Sequence, residues 1–240
     1  MTNENWAIDV KGITRRFGRK PVLRGIDLGI KEGEFLAILG PNGAGKTTLI
    51  KVLATLLRPS AGSIRIAGLD LGDNSAKIRR KIGMVGHQTF LYDELTTYEN
   101  LKFYGKMYDV PNLEERINEL ITKVGLASRL HDRVRTLSRG MQQRLSIARA
   151  LIHNPSIVLL DEPETGLDQY AGEMLVEVLN TPNFGKQTVV MTTHNLQRGL
   201  EISDHVIILA EGRIAYKESK QSLNLSSLQE AYYHYTGNTQ

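Results

Sequence analysis

The fold of this chain is decided by the stretch GPNGAGKTT at residues 40–48. A continuous apolar run, Phe35–Leu39, precedes it, and apolar residues at helical spacing follow from Leu49 to Leu57. Residues 40–47 match the pattern G-x-x-x-x-G-K-[ST], which binds phosphate when a strand precedes it and a helix follows. In that context the backbone amides and the positive end of the helix both face the anion. The sequence therefore predicts a phosphate-binding loop rather than a chance match.

The residues of this loop have separate predicted roles in holding a nucleotide and Mg²⁺. We expect Lys46 to reach the β- and γ-phosphates, Thr47 to bind Mg²⁺, and Thr48 to donate to a phosphate oxygen. The other positions predicted to contact the nucleotide are Asn42, Gly43, Ala44 and Gly45.

Two acidic residues follow a second apolar run. Asp161 comes directly after Ile157–Leu160, so we expect it at the carboxyl end of a buried strand, where a carboxylate can hold Mg²⁺. Glu162 is placed to polarise the attacking water, a role that contributes a factor of about 10² to 10⁴ in rate. The alternative is that both acids merely cap a turn, and the phosphate loop makes that interpretation less favourable.

Two further polar residues follow apolar runs. His194 comes after Thr188–Met191, and we expect it at the same sheet edge, near the γ-phosphate; a lone histidine is otherwise more often structural. Gln88 follows the strand-like run Ile82–Val85, where a glutamine can touch Mg²⁺ or water and report the nucleotide state to the helical section.

Composition limits the class of protein. The chain has 240 residues, 41% of them apolar, which allows one large domain or two small ones. It has no cysteine, which excludes disulfides and thiolate metal sites, and its net charge of +4 is too small to indicate nucleic acid as a partner. No apolar run approaches the length of a membrane span, and the N-terminus lacks a signal pattern. We therefore expect a cytoplasmic chain that reaches a membrane only through a partner.

The remaining pattern predicts the fold class. Continuous apolar runs indicate strands of a mostly parallel central sheet at Phe35–Leu39, Ile157–Leu160, Thr188–Met191 and Val206–Leu209. Short β-type runs indicate an N-terminal antiparallel portion at Ala7–Val10, Ile26–Ile30 and Ser63–Ala67. Residues from about 92 to 151 have mostly helical patterns. We predict an α/β P-loop NTPase fold over residues 1–240, with that helical subdomain inserted in a single domain.

A third motif narrows the family. The stretch LSRGMQQR at residues 137–144 resembles the signature LSGGQ-x-Q-R of ABC transporter ATP-binding subunits, and the resemblance covers nearly the whole chain. It implies that Ser138 and Gly140 bind the γ-phosphate of an ATP held by an opposite subunit. Arg139 and Met141 depart from the signature, which puts in doubt a contact normally made by a glutamine.

The same resemblance assigns two more nucleotide contacts. The stretch TGLD at residues 165–168 is similar to the D-loop and adds Asp168, and Phe17 matches the aromatic residue that stacks on adenine. A core position is the alternative interpretation of Phe17.

The resemblance also implies partners. Two subunits, copies of this chain or related ATPases, sandwich two ATP molecules head to tail and drive integral membrane permease subunits from the cytoplasmic face of the membrane. The permease surface lies beside Gln88 and includes residues 91–101, which can equally be a loop and a helix cap.

Three segments look like those of exporter ATPases, namely LSRGM at 137–141, TYENLKFYG at 97–105 and the tail at 228–237. The stretch GHQ at residues 86–88 and the short length resemble the ATP-binding subunit of the haem exporter of cytochrome c maturation, and the ATPase of a drug, lipid or polysaccharide exporter is the alternative. A non-transport ABC ATPase acting on ribosomes or DNA is less favoured, because the chain has one such domain and no long coiled coil. A subunit that binds ATP without cleaving it is disfavoured by the intact Lys46, Asp161, Glu162 and His194.

Overall fold

Two sheets form the framework of the protein in a computed structural model that describes residues 5–86, 88–163 and 187–237. The smaller sheet has four antiparallel strands, in the order β2-β1-β4-β5. These strands are β1 (Trp6–Phe17), β2 (Lys20–Lys31), β4 (Ala61–Ile66) and β5 (Leu69–Asp70). This is the N-terminal antiparallel portion that the sequence predicts, although β1 and β2 are longer than the apolar runs that indicated them.

The larger sheet has the order β10-β9-β3-β8-β7-β6. Its strands are β3 (Phe35–Leu39), β6 (Ile82–Val85), β7 (Ile157–Asp161), β8 (Thr188–Thr192), β9 (His205–Ala210) and β10 (Arg213–Ser219). All pairs are parallel except β9 with β10. The four continuous apolar runs occupy four of these strands, and their side chains are nearly all buried, as expected of a parallel sheet covered on both faces.

Helices surround the larger sheet. The described helices are α1 (Lys46–Leu53), α2 (Leu71–Arg79), α3 (Thr97–Met107), α4 (Leu113–Lys123), α5 (Arg139–Leu151), α6 (Leu196–Ile202) and α7 (Leu225–Thr236). Three of them, α3 to α5, lie in sequence between the neighbouring parallel strands β6 and β7. The predicted fold class, an α/β P-loop NTPase with a helical insertion, is confirmed.

One apolar cluster joins the antiparallel sheet to the larger sheet, and a second joins the helical section to it. Side chains of the antiparallel sheet pack with α1 and with one set of β3, β7 and β8 residues, and Leu49, Ile50 and Leu53 are fully buried there. A second cluster joins α3, α4 and α5 to the strands β6, β7 and β8. None of the helices within the described ranges combines the length and apolarity that crossing a bilayer requires.

Candidate nucleotide-binding site

Two of the three predicted catalytic residues, Lys46 and Glu162, meet at the carboxyl edge of the larger sheet, where three adjacent strands end. The loop 40–45 follows β3, Asp161 ends β7, and Thr192 ends β8, which lies between those two strands. Thr192 is paired with Asp161 in the β7–β8 register. This edge of an open α/β sheet is where such folds bind ligands.

Glycine is required at two positions of the loop. Gly40 has φ 152°, and a Cβ there would lie 2.2 Å from the Leu209 carbonyl oxygen. Gly45 has φ 108° at the N-terminal cap of α1, with the Val22 carbonyl oxygen 3.1 Å from a Cβ. The loop therefore lies against β9 and β2, and its glycines let the backbone approach a phosphate closely.

Lys46 is held over the loop by carbonyl oxygens. Its Nζ donates to Gly40 O at 2.6 Å and to Pro41 O at 3.3 Å, and the residue is only 5% exposed. Glu162 Oε1 lies 3.4 Å from the same nitrogen. The ammonium group is thus placed where the predicted phosphates would bind, and the chain's own oxygen atoms satisfy it.

Asp161 accepts hydrogen bonds from helix α1 and from strand β8. Its Oδ1 accepts one from Thr47 Oγ1 at 3.0 Å and one from Thr192 Oγ1 at 2.9 Å. Asp161 is 2% exposed, so these bonds fix the orientation of a buried carboxylate. The structure therefore brings together Thr47 and Asp161, two of the three predicted Mg²⁺ ligands.

Glu162 has a constrained backbone. Its φ is 47°, in the left-handed region, and its amide donates to the carbonyl oxygen of Thr192 at 3.1 Å and to its Oγ1 at 3.0 Å. A left-handed non-glycine residue persists only where the surroundings determine it, and such residues cluster at functional sites. Thr192 thus positions both acids.

A cavity of about 630 Å³ extends from Glu162 toward the helical section. Gln88 lines it together with Glu162, and Asp93, Arg139 and Gln142 face the same space. Gln88 is exposed on the loop after β6. The cavity therefore connects the catalytic edge with the start of α5, and Gln88 lies on its wall.

The signature residues lie at the start of α5. Ser138 is the N-terminal cap, and its Oγ accepts a hydrogen bond from the Met141 amide at 3.3 Å. A Cβ on Gly140 would have no atom within 4 Å. In the described part of the chain no hydrogen bond joins Ser138 or Gly140 to the loop 40–48.

Three predicted site residues, His194, Phe17 and Asp168, have no described contact with Lys46, Asp161 or Glu162. His194 is exposed two residues after β8, at the predicted edge, and it donates or accepts no hydrogen bond within the ranges described. Phe17, at the end of β1, is 47% exposed, so its interpretation as a core residue is wrong. Asp168 lies outside the described residues.

The donor atoms fit Mg²⁺. Thr47 supplies a hydroxyl oxygen, Asp161 a carboxylate and Gln88 an amide oxygen, the hard ligands that Mg²⁺ prefers. Across the described ranges, no cluster of three or more His, Cys, Asp or Glu residues forms a self-contained metal site.

Sequence reasoning missed Thr192. Its hydroxyl accepts from the Glu162 amide and donates to Asp161, 31 positions away in sequence. Its position at the end of a predicted strand was a usable signal, because polar residues at that edge meet the acids of the neighbouring strand.

The glycine loop, the buried lysine and the two acids at one sheet edge define a P-loop nucleotide-binding protein. Comparison with known families makes the class more specific: the model described as "ABC transporter" matches residues 23–165. The chain belongs to the ABC transporter ATP-binding family, and it is an ATP-hydrolysing subunit of the ABC type.

Three curated relatives are similar over most of the chain. NatA, an ABC transporter ATP-binding protein of Bacillus subtilis, is 36% identical over 93% of this chain and 94% of its own length. The linearmycin resistance ATP-binding protein LnrL of Bacillus subtilis is 34% identical over 90% of this chain and 70% of its own length. The Nod factor export ATP-binding protein I of a Rhizobium species is 36% identical, with coverages of 90% and 72%.

Solved structures of ABC ATP-binding subunits have the same fold as this chain. The ATP-binding subunit of an ABC transporter superimposes with a TM-score of 0.86 at 29% identity, covering 93% of this chain and 98% of that one. A dimeric ATP-binding cassette in a post-hydrolysis state, bound to ADP and Pi, superimposes with a TM-score of 0.82 at 31% identity, with coverages of 90% and 100%.

Proposed function

We propose that this chain hydrolyses ATP to drive an ABC exporter, with the residues of the strand-edge site in the roles that the sequence predicts. The observation that carries the proposal is the contact of Lys46, Thr47, Asp161 and Glu162 at one sheet edge. In this proposal residues 1–240 work as one ATPase domain, and residues from about 92 to 151 form its helical subdomain.

The chemistry follows from the contacts of these side chains. The γ-phosphate replaces the carbonyl oxygens as the partner of Lys46, which also separates Lys46 from Glu162. Glu162 then accepts a hydrogen bond from water and takes its proton as the water oxygen attacks the γ-phosphorus and the bond to the bridging oxygen of ADP breaks. Thr47, Asp161 and Gln88 would hold Mg²⁺, which neutralises charge on the phosphate oxygens when bound.

The remaining assignments belong to the same proposal. Phe17 stacks on adenine, residues Asn42, Gly43, Ala44, Gly45 and Thr48 contact phosphate, and His194 contacts the γ-phosphate. Ser138, Gly140 and Asp168 act across a dimer of ATPase subunits. Integral membrane permease subunits bind beside Gln88, which places the chain on the cytoplasmic face of the membrane. Nucleic acid is not a partner in this proposal.

The names of the relatives favour the alternative cargo. They are a linearmycin resistance protein and a Nod factor export protein, and neither is connected with haem. A drug, lipid or polysaccharide exporter is therefore the better proposal, and the haem interpretation gains no support from these relatives. Purification from mild detergent, with sequencing of the permease that accompanies the chain, tests this choice.

The decisive experiment on the chemistry is Glu162→Gln. Removing the base should lower the ATPase rate by about 10² to 10⁴ while ATP binding persists. Glu230→Gln on the exposed face of α7 is the matched control and should keep the wild-type rate. A Glu162→Gln protein that hydrolyses ATP at the wild-type rate would overturn the assignment of the base.

A further inference from the structure

The side chain of Gln88 is not oriented by any hydrogen bond within the part of the chain that the structure describes. It lies exposed on the wall of the cavity that Glu162 also lines. Residues 88–91 make no hydrogen bond to another backbone group of the described ranges. The position of this loop, and of Gln88 on it, therefore depends on side chains that reach it from other elements.

Two residues one turn apart on α3 hold the loop from one side. The hydroxyl of Tyr104 donates to Phe90 O, and burial raises the pKa of Tyr104, which keeps that hydroxyl protonated as the donor. Asn100 is fully buried, and its Oδ1 accepts from the Tyr92 amide at 2.8 Å while its Nδ2 donates to Tyr92 O at 3.0 Å. One face of a helix thus fixes the backbone at two points of the loop.

Arg149 on α5 contacts the chain on both sides of Gln88. Its Nη2 donates to Met84 O at 2.5 Å, in the strand β6 that leads to Gln88. Its guanidinium carbon lies 5.5 Å from the centre of the Phe90 ring, two residues beyond Gln88. Burial lowers the pKa of Arg149, and its Nε has no hydrogen-bond partner in the described structure. A group this costly to bury is expected at a functional site more than in a purely structural one.

Phe90 has a strained backbone that these contacts maintain. Its φ is 55°, in the left-handed region, which is unfavourable for a bulky side chain. A strained residue persists only where its surroundings determine it. Here the surroundings are the Tyr104 hydroxyl on its carbonyl and the Arg149 guanidinium over its ring. Without them the turn at Phe90 would relax, and Gln88 would move with it.

We propose that Tyr104 and Arg149 are positioning residues that hold Gln88 at the nucleotide-site cavity, where its amide oxygen would serve as a ligand of Mg²⁺. The inference rests on the proposed function, since it names the groups that set the metal affinity of the same site. Neither residue makes a described contact with Lys46 or Asp161, so each acts on the site only through the loop that carries Gln88.

The first test measures metal affinity without turnover. In a Glu162→Gln background with ATP bound, electron paramagnetic resonance measures the binding of Mn²⁺. Tyr104→Phe removes only a hydroxyl and should weaken Mn²⁺ binding about tenfold, as loss of a group that orients a metal ligand does. ATP affinity in EDTA should not change. Tyr98→Phe is the matched control on the same helix, because its hydroxyl bonds Glu114 instead of the loop, and it should bind Mn²⁺ normally.

A double variant decides whether Tyr104 acts through Gln88. Gln88→Ala alone should weaken Mn²⁺ binding at least as much as Tyr104→Phe, and the combination should weaken it no further than Gln88→Ala. Arg149→Lys keeps the charge but loses the planar group over Phe90, so it should behave like Tyr104→Phe. Additive losses in the double variant would overturn the inference, because Tyr104 would then act independently of Gln88.

The second test follows the loop itself. The chain has no cysteine, so Thr89→Cys accepts a single nitroxide label beside Gln88. Tyr104→Phe and Arg149→Lys should each narrow the spectrum of this label, which reports a more mobile loop, and Tyr98→Phe should leave it unchanged. Urea unfolding verifies that each variant is folded. A spectrum that Tyr104→Phe does not change would refute the positioning role.

These outcomes separate the inference from the proposed function. If Gln88→Ala weakens Mn²⁺ binding but Tyr104→Phe changes neither the affinity nor the label, only the positioning inference fails. If Gln88→Ala binds Mn²⁺ like the wild type, Gln88 is not a metal ligand, and the inference fails together with that assignment. If the wild-type chain does not hydrolyse ATP even with its membrane subunit, the proposed function itself fails.

Discussion

At the scale of single residues, Phe17 is 47% exposed, and a cation lies over its ring. The guanidinium carbon of Arg15 lies 4.7 Å from the ring centre, and Arg15 Nη1 donates to Arg58 O at 2.8 Å, which keeps the cation in place. If adenine stacks on the other face, Phe17→Ala should raise the KM for ATP about tenfold, since base–aromatic stacking contributes about 1–3 kcal/mol. Arg15→Gln should raise it about two- to fivefold.

Neither substitution should change kcat, because both side chains are remote from Glu162 in the proposed chemistry. Steady-state ATPase assays and binding of a fluorescent ATP analogue measure the two effects. Arg16→Gln, one position along β1, is the control for loss of a nearby positive charge. A fall in kcat at unchanged KM would contradict the stacking role.

His153 gives the protein a specific dependence of stability on pH. The imidazole stacks on Tyr108 with ring centres 4.0 Å apart, its Nε2 lies 3.1 Å from Ile82 O, and burial lowers its pKa from the ordinary 6.5 to about 4. Between these pH values the unfolded chain binds a proton that the folded chain does not. The contribution of His153 to the free energy of unfolding is therefore fully present above pH 6.5. It is lost as the pH falls toward 4, and its size is roughly 3 kcal/mol.

Urea unfolding at about pH 7.5 and about pH 5 tests this dependence. The variant His153→Gln keeps a donor for Ile82 O but cannot take up the proton, so its stability should change less between the two conditions. Replacement of the exposed His131 with Gln is the matched comparison. An identical pH dependence in wild type and His153→Gln would show that this histidine is not responsible.

The residues that sequence alone identified differ in kind from those it missed. Lys46, Thr47, Asp161 and Glu162 lie in short local motifs, each next to an apolar strand run, so spacing and context were sufficient. Thr192 and Arg149 act through contacts with residues distant in sequence: Thr192 bonds Asp161, and Arg149 bonds Met84 O, 65 positions away. Such contacts depend on strand order and helix packing, which no local pattern encodes.

At the scale of elements, two adjacent threonines at the start of α3 should respond in opposite ways to substitution. Thr96 is the N-terminal cap: its Oγ1 accepts from the Glu99 amide, and Glu99 Oε2 accepts from the Thr96 amide at 2.8 Å. Thr96→Ala should lower the free energy of unfolding by about 1 kcal/mol.

Thr97 is fully buried, and its Oγ1 has no hydrogen-bond partner in the described part of the chain. Thr97→Val should therefore be neutral or stabilising, by up to about 1 kcal/mol, because it removes an unsatisfied buried hydroxyl and keeps the shape. Chemical denaturation of the two variants measures both changes. Destabilisation of Thr97→Val comparable to that of Thr96→Ala would mean that the buried hydroxyl has a partner.

The elements were predictable where the pattern is continuous. The four apolar runs became strands of the larger sheet because burial on both faces needs no alternation. In β1 the period of two is broken by register shifts between Val10, Ile13 and Thr14, where Gly12 has φ 59°. Because of those irregularities the sequence pattern indicated only a short part of β1, which extends from Trp6 to Phe17.

At the scale of the whole molecule, the resemblance of residues 137–144 to the ABC signature predicts that ATP is cleaved between two chains. Lys46 and Glu162 are 3.4 Å apart in one chain, whereas no hydrogen bond in the described structure links Gly140 to the loop. In a head-to-tail dimer each site then takes Lys46 and Glu162 from one copy and Gly140 from the other. Lys46→Ala and Gly140→Glu should each abolish activity alone, and the open space around Gly140 should let its variant fold.

Mixing the two inactive variants should restore about a quarter of the wild-type activity, since random pairing makes half of the dimers mixed and each mixed dimer has one intact site. Mixing Lys46→Ala with Glu162→Gln should restore nothing, because each copy then damages the site built on its own loop. Coupled-enzyme ATPase assays on equimolar mixtures measure both outcomes. Rescue in the second mixture, or its absence in the first when both variants are folded and dimeric, would mean that Gly140 does not act across the dimer.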